Sequence, residues 1–177
     1  MKLKIIIILW LFNLTVFGQE NSYWTKTTVT NDPAGKLEPT VNKTALISDT
    51  FFNLDVEKLK TILKNTTTRS YKISNKNEVI IALPNGDGIF ENYAIHEDDV
   101  LTPELALQHP ECKFYIGNGI DNINKIAFIS LTPKGLRNEI IENGKITTKI
   151  EPYSEDLKTY SVYKIIEKKQ SNLNKYL

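Results

Sequence analysis

The stretch "NKIAFISLTPKGLRNEIIENGKITTKI", residues 124–150, decides the fold class. In "NKIAFISL", Ile126, Phe128 and Ser130 alternate with Ala127, Ile129 and Leu131. That two-residue period is the mark of a strand with one face buried. "GLRNEII", the turn "ENG" and "KITTKI" then read as a hairpin, with Ile146, Thr148 and Ile150 opposed to Thr147 and Lys149.

Working outward, the same grammar recurs. "EVIIALP" and "IFENYAIHE" flank "NGDG", where Asn85-Gly86 and Asp87-Gly88 are suited to positive φ, so a first hairpin is expected. "ISDTFFNL", "CKFYIG" before a "NGIDN" turn, and "KTYSVYKII" read as further strands. Two short helices interrupt them. In "DVEKLKTILKN", Asp55 caps a helix whose Leu59, Ile62 and Leu63 share a face. In "LTPELALQHP", Thr102 is the cap, Pro103 takes the first helical position, Glu104 lies in the first turn and Pro110 stops the helix. Turn signals every ~8–12 residues predict a mainly β (β-rich α+β) domain, an antiparallel sandwich or barrel-like sheet of seven or eight strands.

The ends read differently. Residues 1–18, "MKLKIIIILWLFNLTVFG", have Lys2 and Lys4 before an apolar run from Ile5 to Phe17. A membrane span needs about 20 apolar residues, so this run predicts a secretory signal peptide cut between Gly18 and Gln19, with no stable membrane anchor afterwards. The chain is therefore expected outside the cell, by way of the periplasm. Residues 19–46 read as a flexible polar leader in which Trp24 is a docking residue, 47–166 as the folded domain, and 167–177 as a polar tail. Losing Lys2 and Lys4 takes the formal charge from +1 to −1, and no basic block remains to favour nucleic acid. One cysteine cannot form an internal disulfide, so the core must hold the fold.

Reactive groups concentrate in "HEDDVLTPELALQHPEC", residues 96–112, which contains both histidines and Cys112. A zinc-protease helix needs His-Glu-x-x-His to set two imidazoles one turn apart around an activating glutamate. Here His96-Glu97 runs into Asp98, Asp99 and Val100, and the second histidine is missing. His109 and Cys112 make one His-x-x-Cys pair, whereas structural zinc wants four ligands in paired spacings. The expectation is a solvated acidic turn, with His96 ending a strand and His109 ending a helix. Gly117-x-Gly119 lacks the third glycine and long helix of a dinucleotide site; with Asp121 and Asn122 it reads as a chain reversal. No cofactor or metal, and no catalysis, is expected of this chain.

The stretch "LPNGDGIFENYAIHEDDVLTPELALQHPECKFYIGNGIDN", Leu83–Asn122, resembles the N-terminal pro-region of secreted bacterial reprolysin-like zinc metalloproteases. The order of "LDVEKLKTILKN" before it, and of "LTPKGL" and "IEPYSEDLKTYSVY" after it, is similar to that family too, so the likeness runs from about Phe51 to about Lys164. Its most specific piece is Pro103 to Asn122. The resemblance implies a domain that does no chemistry, helps a protease domain fold, and shields it until removed. The partner would be the metalloprotease catalytic domain, and zinc would reside only there. The "HExxHxxGxxH" helix of such a domain is missing from this sequence, which on this reading is a fragment, a truncated product or a stand-alone relative. In some metalloprotease pro-regions a cysteine thiolate takes the fourth zinc position, which makes Cys112 a candidate zinc-blocking thiol in trans. The expected contact surface is a sheet edge near Tyr115, Gly117, Gly119, Asp121 and Asn122. Two other readings stand beside it: a free-standing extracellular binding or adhesion module, and an unrecognised hydrolase, which would need His96, His109 and Cys112 to converge.

Overall fold

The computed structural model describes residues 23–29, 37, 46–67 and 78–166. The signal peptide, its Gly18–Gln19 cut site, most of the leader and the tail at 167–177 lie outside these described residues. The described elements are β1 (Trp24–Thr27), β2 (Leu46–Leu54), α1 (Val56–Leu63), β3 (Val79–Pro84), β4 (Phe90–Glu97), α2 (Pro103–Gln108), β5 (Lys113–Gly119), β6 (Lys125–Thr132), β7 (Gly135–Glu142), β8 (Lys145–Pro152) and β9 (Thr159–Ile165).

All nine strands form one antiparallel sheet in the order β1-β2-β9-β8-β7-β6-β5-β4-β3, curled into a half-barrel. From β3 to β9 every neighbour in sequence is a neighbour in space, so the meander follows from short turns alone. The fold is therefore the barrel-like alternative of the two expected, with β1 added from within the segment read as a leader. Trp24, the expected docking residue, is buried at 5% exposure. Its ring meets Phe52 and Tyr160 edge-on, at centroid distances of 6.1 and 5.8 Å.

The expected alternation places the core. Ala127, Ile129 and Leu131 of β6 face the concave side with Leu136 and Ile140 of β7, Ile150 of β8 and Tyr160 and Val162 of β9. Helix α1 packs onto this side through Leu59 and Leu63, with Ile62 at the margin. Asp55 accepts a hydrogen bond from the Lys58 amide at 3.0 Å, the cap that starts the helix.

Two turns show how the sheet is shaped. Between β7 and β8, Asn143 (φ 51°) and Gly144 (φ 77°) both take left-handed geometry, which twists in the sense the two strands require. A bulge follows: Ile140 pairs with Thr148 but Ile141 pairs with Ile146, leaving Thr147 as the extra residue. Ile146 is thereby turned away from the face that Thr148 and Ile150 share, against the simple alternation read from the sequence. Between β3 and β4 only Gly88 has positive φ. Asn85 organises that loop instead, its side-chain oxygen accepting from the amides of Asp87 and Ile89 at 2.9 and 3.0 Å. Gly86 is needed for proximity: a Cβ there would lie 2.6 Å from Lys164 Cβ and 2.8 Å from Lys164 Cα. The loop reaches that far because the sheet curls. Gly86 N–H donates to Thr148 Oγ1 at 3.1 Å, and Lys164 Nζ donates to Asp87 at 2.6 Å.

Candidate interaction surface

The convex face of the sheet carries the side chains that the core does not use. One cross-strand row runs Ile116, Phe128, Glu139, Lys149 over β5 to β8. The next runs Phe114, Ser130, Arg137, Glu151. Together they line a groove of about 330 Å³ whose remaining wall is Asp98 and Val100, from the connection between β4 and β5. The floor is apolar, and the groove is partly open to solvent: Phe128 on the floor is 43% and Val100 on the wall 60% exposed. The far wall is polar and internally neutralised. Lys149 pairs with Glu139, and Arg137 Nη1 donates to Glu151 Oε1 at 3.1 Å. Every floor strand is hydrogen-bonded on both sides, so this face recognises through side chains and not through strand addition.

Helix α2 lies in the same connection. Thr102 accepts a weak cap bond from the Leu105 amide at 3.4 Å, and Pro103 holds the first helical position, as the sequence indicates. None of its residues is buried; Leu105 is 43% and Leu107 84% exposed. The Glu104 carboxyl is held below its ordinary value by its own backbone amide and the Thr102 hydroxyl.

The contact residues expected from the sequence do not form one surface. They were expected along a sheet edge, but β5 lies between β4 and β6; the edges are β1 and β3. Tyr115 is buried at 6% exposure, and burial, with the charge of Glu97, pushes its pKa up to about 12. Gly117 packs against core side chains, where a Cβ would lie 2.6 Å from Ile95 Cδ1. Gly119 closes the turn against the backbone of Asn122. Asn122 donates to Glu142 at 2.8 Å and accepts from the Asn124 amide at 3.0 Å, a structural role in the chain reversal. Asp121 alone is exposed.

Beside that turn, the end of the barrel holds a half-buried polar cluster. Lys125 Nζ donates to Glu91 at 2.6 Å, as do Asn85 Nδ2 at 2.8 Å and the Tyr93 hydroxyl at 2.9 Å. Burial pushes the Glu91 carboxyl up, but these bonds outweigh it and hold the group below its ordinary value. Burial and the Glu91 charge drive Tyr93 strongly upward.

His96, next to last in β4, lies near the strand end as expected, on the convex row opposite Ile116, but it is half-buried and does not simply face solvent. His109 terminates α2 as expected, with Nδ1 3.5 Å from Glu111. Cys112 Sγ also approaches Glu111, at 4.0 Å. Among the described residues no three His, Cys, Asp or Glu side chains are grouped to hold a metal ion. Sequence reasoning missed the groove residues, although the placement of Phe128 on the face opposite Ala127 and Ile129 was a usable sign.

Fold and surface together define a mainly β domain, a single curled nine-strand sheet with an apolar groove on its convex face. No family model, curated protein or solved structure matches the chain.

Proposed function

We infer that this chain is an exported domain that acts by contact and not by chemistry, and that its partner is the catalytic domain of a reprolysin-like zinc metalloprotease, which it shields and helps to fold. The observation that carries this reading is the convex groove: an apolar floor left open to solvent, bounded by charges already paired within the sheet. Such a face gains by burial against a second protein. The resemblance of Leu83–Asn122 to metalloprotease pro-regions supplies the identity of that protein, and the groove's wall at Asp98 and Val100 falls within the same stretch.

The test is to mix the secreted chain with a reprolysin-like catalytic domain encoded in the same genome and follow peptide hydrolysis. Saturable inhibition that is lost in Phe128→Asp supports the reading. Unchanged hydrolysis at excess inhibitor overturns it. Cys112→Ser separates the two modes of inhibition: retained inhibition places the effect in surface contact, and lost inhibition places it in the thiol and overturns the groove assignment.

A further inference from the structure

We propose that the groove and helix α2 form one docking surface, and that it selects a basic amphipathic helix, with apolar side chains flanked by lysine or arginine. This rests on the reading above that the domain works by contact, and it specifies the chemistry of what is contacted.

The first argument is continuity. Asp98 and Val100 wall the groove, and the same connection continues through Leu101 and Thr102 into α2. The exposed side chains of Val100, Leu105 and Leu107 thus follow one another along the chain from the wall of the groove in which Phe128 is exposed. A six-residue helix that buries nothing adds no core packing to the domain. Its cap and its proline nonetheless preset its shape, so little ordering cost remains when a partner covers it.

The second argument is charge. The groove's two cations, Arg137 and Lys149, are each taken by a carboxylate of the same face. Lys113 is taken by Glu97 at 2.7 Å. Among the described residues no lysine or arginine pairs with Asp98, Asp99 or Glu104. Glu111 meets the His109 ring and the Cys112 thiol, and no lysine or arginine. The surface is therefore apolar and net negative, which attracts a cationic partner and repels an anionic lipid headgroup or nucleic acid.

The experiment uses the isotope-labelled secreted chain and two synthetic helices about four turns long, one with leucine and lysine faces, the other with leucine and glutamate faces. Amide shifts are followed by NMR. The expected result is binding of the leucine–lysine helix with shifts centred on Val100, Leu105, Leu107 and Phe128, weakening with added salt, and binding of the leucine–glutamate helix about tenfold weaker or less. Leu107→Glu and Phe128→Ser, both at exposed side chains, should abolish the shifts while leaving the remaining spectrum in place. Equal binding of the two helices, shifts that map elsewhere, or a preference for vesicles of anionic phosphatidylglycerol would overturn the proposal. Selective helix binding without any protease inhibition supports this surface while removing the protease as its partner.

Discussion

The Tyr23 hydroxyl both donates to the carbonyl of Ala82, at 3.2 Å, and accepts from the amide of Ala82, at 2.7 Å. Trp24 Nε1 donates to the same carbonyl at 3.2 Å. Ala82 lies in β3, one edge of the sheet, and Tyr23 immediately precedes β1, the other. Two side chains thus serve the backbone groups that a closing strand would otherwise pair, and Pro84 removes a donor from the same edge strand. Tyr23→Phe leaves the Ala82 amide buried without a partner, at a cost of about 1–3 kcal/mol. Trp24→Ala empties a packed aromatic site and should cost about 3–5 kcal/mol. Urea unfolding of the two variants measures this, and hydrogen exchange at Ala82 should accelerate in both before the rest of the sheet responds.

Removing residues 1–27 goes further, because it uncovers the outer edge of β2 at Phe51–Leu54 as well as that of β3. Unpaired edges pair with one another. The truncated chain should run as concentration-dependent dimers or larger species in size-exclusion chromatography, and adding a synthetic peptide of residues 19–29 should restore the smaller species. A truncated chain that stays monomeric and fully folded would show that the seam is not what caps the sheet.

The glycines at 117 and 119 provide a different check. A methyl group at Gly117 would sit 2.6 Å from Ile95 Cδ1 and 3.0 Å from Tyr93 Cβ, inside a filled core. At Gly119 it would collide with the Asn122 carbonyl, which cannot rotate away. Gly117→Ala and Gly119→Ala should each cost about 1–3 kcal/mol through overpacking. Their effect on partner binding should vanish once measurements are made where both variants are folded. Persistent loss of binding by folded Gly119→Ala would return the β5–β6 turn to the contact surface.

Much of the fold was legible because it rests on local rules. The alternation at Ile126–Leu131, the Asn143-Gly144 turn, and the caps at Asp55 and Thr102 all act within a few residues. What stayed hidden was long-range. Trp24 sits in a polar segment with no sustained period, so nothing nearby announces that β1 closes the seam against Ala82. The bulge at Thr147 depends on a partner strand, and a two-residue period read along one strand cannot register it. Gly86 looked like a residue chosen for φ, yet its reason is Lys164, a neighbour only after the sheet curls. The groove was illegible for the same cause: Phe114, Phe128 and Arg137 come from three strands whose register alone makes them adjacent.

Tyrosine burial and the Glu91 cluster set the pH limits of the domain. Burial raises the pKa of Tyr23, Tyr93, Tyr115 and Tyr160. The folded state therefore holds protons that the unfolded state gives up as pH rises past the ordinary tyrosine value of 10.0, so stability is complete below that value and falls above it. Glu91 works in the opposite direction: its lowered pKa stabilises the fold at neutral pH. That contribution fades as pH drops below the ordinary glutamate value of 4.5 and is gone below the group's own lowered pKa. Denaturant midpoints measured across pH should thus form a plateau bounded by a tyrosine limb and a carboxylate limb. In Glu91→Gln the plateau should drop and the acid limb flatten, because the neutral amide no longer completes the charge of Lys125. In Tyr160→Phe the alkaline limb should become shallower, and tyrosinate absorbance near 295 nm, read as roughly one fewer late-titrating phenol, should follow it. An acid limb unchanged by Glu91→Gln would mean that other carboxylates govern acid unfolding and that the polar cluster contributes no linked stability.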